Sequence, residues 1–504
     1  MFDFVPDMAA KRAELDPDAI AFTEAETGKK WTFLAFERAA NNLANSFDAM
    51  QISQGDRIAI LCKNNVEFFV ALFACQKTGA ILAALNWRQP VAELQPALKS
   101  IGARALIFDE HNQATARALI QENDLISITI GSAKVAENQF NDLASGPGQR
   151  PRQNVDVNRP WYLLFTSGTT GTPKAVIQTA KMAWANAINI GQAIGIQQSD
   201  VGVCFLPLFH TAGINLYTLP LFLNGGHSIV LPQFDEDFVV DLLAKNEITQ
   251  FFGVPAIYQA LSLREDFDQM SFDHARFGCG GAAMPIALVR EFSKRGARVC
   301  NGFGMTETGP TAFFMDEENI ETKIGSVGKV QSLTQYRLDS VEDGKPGTGE
   351  IQFYGPAITP GYFENAGATA ATFTHDGWLK TGDVGKRDDD GYVFIVDRIK
   401  DMYISGGENV YPAEVEKVLI THQDILEAAI IGVSDPKWGE IGAAFLLPKP
   451  NKTIDISSLN SWCRQHLAAY KIPKSFHIVE DFPRTAAGKI RKPLLKEMFE
   501  HAEI

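Results

Sequence analysis

The segment Thr166-Ser167-Gly168-Thr169-Thr170-Gly171-Thr172-Pro173-Lys174 gathers hydroxyls, glycines and a lysine directly after a strand-like apolar run at 161–165. Small residues of this kind let backbone N–H groups and side-chain hydroxyls converge on phosphate oxygens, and Lys174 adds a point charge. The Walker A spacing is absent, and residues 175–177 read as strand rather than helix. A plain Ser/Thr/Gly turn remains the alternative for this segment alone. A second segment, Asn301-Gly302-Phe303-Gly304-Met305-Thr306-Glu307-Thr308, follows a strand-like run ending at Cys300. Its carboxylate and hydroxyls suit a Mg²⁺ ion bridging phosphates, and Phe303 between two glycines can lie flat against a base. Glu307 is otherwise a solvated loop residue.

Thr381-Gly382-Asp383 offers a short carboxylate able to accept from two ribose hydroxyls, with Arg398 fifteen residues further on; a simple turn is the alternative. Two more loops lie near the C-terminus. Ser405-Gly406-Gly407-Glu408-Asn409 precedes a helix, and Pro483-Arg484-Thr485-Ala486-Ala487-Gly488-Lys489 ends in a lysine that on its own would be ordinary surface.

These loops need a scaffold. Short β-branched runs at 57–62, 105–108 and 228–231 alternate with helical periodicity such as that at 67–78, which predicts a layered α/β fold. Residues 144–160, with Gly, Pro and Asn, read as a loop before a new strand. After a hairpin turn at Asp390-Gly391, the pattern changes to a compact α+β unit. In it a helix opens at Pro412, strands follow at 428–433 and 443–447, and helices at 458–469 and 493–499. The junction Asp397-Arg398-Ile399-Lys400 is the expected boundary, giving domains 1–399 and 400–504.

The chain of 504 residues carries a formal charge of -14 with 45% hydrophobic residues, spread without charged tails. That balance argues against a nucleic-acid partner and leaves any polyanion site to loops, a metal ion and a few placed cations. Six scattered cysteines show no zinc or C-x-x-C spacing, which fits a reduced compartment. The N-terminus has Asp3 and Asp7 where a secretory leader would be basic and then apolar, and the most apolar stretch is cut by Gln76, Lys77 and Gly79, so a cytoplasmic protein without an integral membrane segment is expected.

Taken in order, TSGTTGTPK, GFGMTET, TGD, DRIKDMYISGGENVYP and PRTAAGK resemble the adenylate-forming superfamily of acyl-CoA synthetases, luciferases and peptide-synthetase adenylation domains, over nearly the whole chain. The resemblance implies an α/β fold: a large multi-subdomain N-terminal adenylation domain with mixed sheets, plus a small mobile α+β C-terminal domain. It implies an ATP-dependent acid:CoA ligase using ATP, Mg²⁺ and coenzyme A, working as a monomer or homodimer. By the same resemblance, residues 166–174 hold the β- and γ-phosphates, Phe303 stacks on adenine and Thr306 touches the α-phosphate. Glu307 binds the metal, Asp383 and Arg398 hold the ribose, and Gly281 borders the nucleotide. Lys489 bridges the acid's carboxylate and the α-phosphate. Lys400 is the hinge about which the small domain rotates, after which the 405–408 loop, with Gly406 and Gly407, faces the site. Relatives often carry Thr-His where this chain has Thr179-Ala180-Lys181, a difference that touches no catalytic role.

The run Leu206-Pro207-Leu208-Phe209-His210-Thr211-Ala212-Gly213 matches the family motif whose histidine stands between the acyl pocket and the CoA tunnel; a satisfied core histidine is the alternative. Trp184, Gly213, Ile214, Tyr217, Gly280, Gly281, Ala282, Gly304 and Thr311 are further pocket candidates by position. Being mostly neutral and apolar, they disfavour a second carboxylate, and no Asp stands ready for an amino group. An aromatic or medium-chain aliphatic monocarboxylic acid is the expected substrate. Loading of a carrier protein, a luciferase-like oxidation and a silent nucleotide-binding scaffold are the competing readings; retention of Lys174, Glu307, Asp383, Arg398 and Lys489 together argues against the last.

Overall fold

The computed structural model of the chain describes residues 3–131, 136–166, 173–282, 284–342, 344–405, 408–485 and 488–502. Two large sheets carry the site. The first has seven strands in the order Lys174–Thr179, Pro160–Thr166, Ile81–Ala84, Arg57–Leu61, Ala105–Asp109, Ile126–Ile130 and Asn138–Gln139. It is parallel except for Lys174–Thr179, which returns antiparallel to its predecessor. The second has nine strands, and its parallel centre runs Val299–Phe303, Arg276–Cys279, Gln250–Gly253, Val201–Cys204 and His227–Val230. Both sheets are therefore mixed, as the α/β reading expects.

Helices Phe33–Ala49 and Val66–Thr78 explain why the two sheets stay together. Val66–Thr78 is apolar on nearly every side, the mark of a helix buried all round. The Asn65 side chain accepts from the Phe68 N–H at 2.8 Å at its start, and Gly79, at φ 82°, closes it in the left-handed conformation. Its Phe69 and Phe73 join Phe22 from the second sheet, Phe222 from the helix Thr218–Asn224, and Tyr162 and Leu164 from the first sheet in one core. Within that core Lys77 is buried against Asp7 (2.5 Å) and Glu37 (2.8 Å), tying the N-terminal segment to both helices.

A four-stranded antiparallel sheet, Gln335–Leu338, Gly347–Tyr354, Leu379–Arg387 and Val393–Arg398, ends the larger part. The expected turn at Asp390-Gly391 joins its last two strands, with Gly391 at φ 83°. The C-terminal unit then builds its own five-stranded sheet and its own core around Tyr403, Val415, Leu419, Ile430 and Leu446. Its two long strands and its last helix are longer than the sequence reading had them. The strands Ile425–Asp435 and Gly439–Pro448 form a continuous hairpin, and the last helix runs Lys492–Ala502. The helix expected at 458–469 is Ile456–His466, because the Asp455 carboxylate accepts from the Ser457 and Ser458 N–H groups and starts it earlier. Among the described residues no helix is long and apolar enough to cross a membrane.

Candidate active site

The hairpin Pro160–Thr166/Lys174–Thr179 sets Thr166 opposite Lys174. Ser167, Gly168, Thr169, Thr170 and Gly171 lie outside the described residues. The free edge of Lys174–Thr179 is covered by 361–363: the Ile177 N–H donates to the Gly361 carbonyl (3.1 Å) and the Phe363 N–H to that of Ala175 (2.8 Å). This places Tyr362 under Lys174, whose Nζ stands 5.1 Å from the ring centroid. The Tyr362 hydroxyl in turn donates to Glu307 Oε1 at 2.8 Å. One aromatic ring thus links the phosphate-loop lysine to the carboxylate of the second motif.

Glu307 sits on a short turn, Thr306–Thr308, that follows the strand Val299–Phe303. Three contacts fix that turn. The Gln178 amide donates to the Thr306 carbonyl at 3.0 Å, the Thr359 N–H to the Glu307 carbonyl at 2.9 Å, and the Thr308 hydroxyl accepts from the Met305 N–H at 2.9 Å. A Cβ on Gly304 would run into the Pro310 carbonyl oxygen, so only glycine lets the chain turn here. Glu307 is 5% exposed, and burial raises its pKa against the opposing pull of Tyr362, Arg398 and Lys174. Phe303 packs one side against the core around Phe313 and Phe353 and stays partly open on the other.

Asp383 and Arg398 are paired across the antiparallel strands and form an ion pair at 3.2 Å. Burial raises the Asp383 pKa, while Arg398 and Lys489 pull it down. Lys489 belongs to the C-terminal unit, on a turn where the Thr485 N–H donates to its carbonyl (2.7 Å) and Gly488 adopts φ 79°. Lys489 is exposed, within electrostatic range of Arg398, Asp383 and Glu307. Desolvation is the largest cause of its lowered pKa, followed by the Arg398 charge, with Asp383 and Glu307 opposing. Motifs separated by more than three hundred positions, from Lys174 to Lys489, thus share one electrostatic neighbourhood.

His210 is part of it. Its Nε2 is buried without a hydrogen-bond partner among the described residues, and burial, then the charges of Lys489 and Arg88, hold its pKa at about 4. The imidazole is neutral at neutral pH, as a pocket wall should be. Trp184 Nε1 and the Tyr217 hydroxyl are likewise buried without partners among those residues, and Tyr217 meets Phe252 edge-on at 5.4 Å. A Cβ on Gly280 would approach Phe252 to 3.0 Å, whereas one on Gly281, at φ 82°, would meet only Val254 at 3.6 Å. Two candidates have packing reasons of their own: Gly213 lies tight against the Leu206 and Pro207 carbonyls, and Ile214 is fully buried in the core between the sheets.

Thr311 lies in a polar cluster rather than an apolar wall. Its Oγ1 is 3.5 Å from Asn186 Oδ1 and 3.4 Å from Gln331 Oε1. The sequence reading missed Asn186, Gln331, Gln178 and Tyr362. The hinge candidate Lys400 is exposed, while its neighbour Asp397 is buried and spans the junction: Oδ1 accepts from the Arg398 N–H and Oδ2 from the Ala413 N–H, both at 2.7 Å. Gly406 and Gly407 lie outside the described residues.

The cleft combines two buried carboxylates, Glu307 and Asp383, three cations and a half-open phenyl ring. That set fits a nucleotide triphosphate whose Mg²⁺ takes one protein carboxylate and otherwise phosphate and water.

Known proteins share this architecture. A family model described as AMP-binding enzyme matches residues 9–363, and one described as AMP-binding enzyme C-terminal domain matches 414–489. Feruloyl-CoA synthase from Amycolatopsis sp is 36% identical over 494 residues, covering 97% of this chain and 98% of its own. The o-succinylbenzoate CoA synthetase of Bacillus subtilis, in complex with its acyl-adenylate intermediate, superposes with a TM-score of 0.86 at 30% identity, over 98% of this chain and 99% of the other. The same enzyme with ATP and magnesium gives 0.85 at 28% identity, over 98% and 100%. The chain belongs to the AMP-binding enzymes, the adenylate-forming family its ordered motifs resemble.

Proposed function

We propose that the protein is an AMP-forming acid:CoA ligase. It joins a monocarboxylic acid, aromatic or medium-chain aliphatic, to ATP as an acyl-adenylate with release of pyrophosphate, and then transfers the acyl group to the thiol of coenzyme A. What supports this reading is the electrostatic coupling of Lys489, on the C-terminal unit, to Asp383, Arg398 and Glu307 of the larger part. Feruloyl-CoA synthase and o-succinylbenzoate CoA synthetase both make CoA thioesters of acids with an aromatic ring, which favours CoA over a carrier protein as acceptor and supports an aromatic substrate.

A carboxylate attacking the α-phosphorus brings anion toward anion, so the chain's task is charge neutralisation and alignment. Lys489 stands where it can hold the acid's carboxylate against the α-phosphate, Thr306 offers a hydroxyl to that phosphate, and Lys174 with residues 166–172 takes the leaving pyrophosphate. Glu307 would hold Mg²⁺, which when bound would neutralise phosphate charge; the Tyr362 hydroxyl, donating to Glu307 Oε1, favours the carboxylate form and orients it. Asp383 and Arg398 fix the ribose, and Phe303 lies on the base. The thiol then attacks the acyl carbonyl and AMP leaves.

Thiol attack has no use for Lys489, and we place the domain boundary and hinge at Lys400 so that the unit 400–504 turns as one body between the steps. With its six buried, unpaired cysteines, the protein fits a cytoplasmic setting. The test is pyrophosphate release with Mg-ATP across aromatic and C2 to C12 monocarboxylic acids, with and without CoA. CoA-dependent turnover on one acid class is expected; acid-dependent adenylation that CoA fails to accelerate would redirect the reading to a carrier protein.

A further inference from the structure

Gln331 is 6% exposed, and its backbone is held from two sides: its N–H donates to the Ala312 carbonyl (3.0 Å) and its carbonyl accepts from the Thr334 N–H (2.9 Å). The loop carrying it is fastened to the helix Ala180–Ile194 by Asn189, whose amide accepts from the Leu333 N–H (2.8 Å) and donates to the Thr334 hydroxyl (3.2 Å). The side chain is therefore set in place before any ligand arrives. Its Oε1 faces Thr311 Oγ1 at 3.4 Å, and its Nε2 is buried with no partner among the described residues. Thr311 has one proton for two acceptors, Gln331 Oε1 and Asn186 Oδ1. Beyond it the network continues: Asn186 donates to the Asn215 carbonyl, Asn215 Oδ1 accepts from the Tyr162 hydroxyl (2.6 Å), and Asn215 Nδ2 donates to Thr211, the neighbour of His210.

A buried amide left half-paired is costly, and native structures seldom keep one without a use. Turning the amide round does not remove the deficit; it exchanges an unpaired donor for an unpaired acceptor. A hydroxyl, which both donates and accepts, satisfies either orientation. The cluster is deeply buried, at 1% to 6% exposure for Asn186, Thr311 and Gln331, whereas Lys489 is exposed. The other groups at the pocket candidates are aromatic, Trp184 and the Tyr217–Phe252 pair.

We propose that Gln331, steadied by Thr311, is a specificity-determining residue that reads a hydroxyl on the end of the substrate remote from its carboxylate, so that the preferred acid is a ring-hydroxylated aromatic monocarboxylate. This rests on the ligase reading. The test compares kcat/KM for 4-hydroxycinnamic with cinnamic acid, 4-hydroxybenzoic with benzoic acid, and octanoic acid, in the full-length enzyme and in Gln331→Leu and Thr311→Val. The wild type is expected to favour the hydroxylated member of its better pair by roughly tenfold to a hundredfold. Gln331→Leu should erase that preference, read as the ratio of kcat/KM within each pair, and Thr311→Val should weaken it. Equal rates on both members in the wild type would mean that water satisfies the amide and would overturn the proposal, whether or not the variants fold. So would a preference that survives in Gln331→Leu. Pyrophosphate release with no acid at all would mean that the ligase reading itself had failed; normal turnover without hydroxyl preference would reject Gln331 alone.

Discussion

Asp397 gives the domain rotation a measurable handle. Its carboxylate lies on the larger part, three residues before Lys400, yet Oδ2 accepts the N–H of Ala413, the second residue of the helix Pro412–Leu419 in the C-terminal unit. Tyr411, at the N-cap position, supplies no side-chain cap, so Asp397 caps that helix across the junction. A hydrogen bond to a charged group contributes about 1.5–3 kcal/mol, and burial, which raises the Asp397 pKa, takes back part of it. Asp397→Ala should therefore cost about 2 kcal/mol in the docked arrangement, or roughly 30-fold in its population. If the proposed rotation about Lys400 breaks this contact, the loss should fall on one half-reaction. Single-turnover pyrophosphate release should slow by roughly 30-fold, while CoA capture of supplied acyl-adenylate stays level or quickens. Asp397→Asn, which keeps an acceptor, should sit in between. Equal slowing of both half-reactions, or unchanged pyrophosphate release, would refute the capping role.

Other perturbations separate the remaining parts of the cleft. Lys489→Met should cut adenylation by roughly 10²–10³-fold and spare CoA capture of acyl-adenylate; equal losses in the two assays would count against its placement. Lys400→Pro should leave adenylation largely intact and impair thioester formation, which the same pair of assays reads. Tyr362→Phe removes a group that lowers the Glu307 pKa, so the acid limb of adenylation should move to higher pH and the Mg²⁺ requirement should rise; an unmoved limb would show that the hydroxyl does not govern the carboxylate. His210, with its pKa at about 4, is already neutral from pH 5 upward. The pH profile of thioester formation between 5 and 8 should therefore keep its shape in His210→Asn, and loss of an inflection near 6.5 would contradict the neutral wall. The sign of its stability effect follows: a depressed histidine pKa gives stability that is complete above about 6.5 and is lost as pH falls toward 4, visible as a falling Tm.

What the sequence made legible was local. The phosphate loop, the Thr306–Thr308 turn, the Asp383–Arg398 pair and the Lys489 loop each sit in a short segment whose composition states its chemistry. Alternating periodicity placed the strands read at 57–62, 105–108 and 228–231 within a residue, as Arg57–Leu61, Ala105–Asp109 and His227–Val230. Residues that act through distant contacts were silent. Tyr362 reaches Glu307 across 55 positions, and Gln331 meets Thr311 across 20 and, through it, a helix much further off. A tyrosine after Pro-Gly and a glutamine in a polar loop carry no pattern that names a partner. The same limit made the surroundings of Thr311 look more apolar than they are: Thr311 was read without the two amides beside it.

The raised pKa values of Glu307 and Asp383 and the lowered pKa of Lys489 share one physical origin. Each group is held in a cleft where its charge is poorly solvated, and neighbours of opposite sign only partly compensate. A Mg-nucleotide and a carboxylate substrate bring the missing charges, so the docked arrangement gains most when both are present and loses that gain once pyrophosphate departs. Asp397 and the Lys417 amine, which donates to the Ile395 carbonyl at 3.2 Å, hold the unit in place through a few polar contacts at the junction. Polar contacts of about 1–3 kcal/mol each are enough to favour one arrangement and too weak to forbid the other. On the proposed rotation about Lys400, the cleft's own electrostatic discomfort would be part of the switch: ligand charge would favour the docked arrangement, and the departure of that charge would let the small unit leave and the thiol enter.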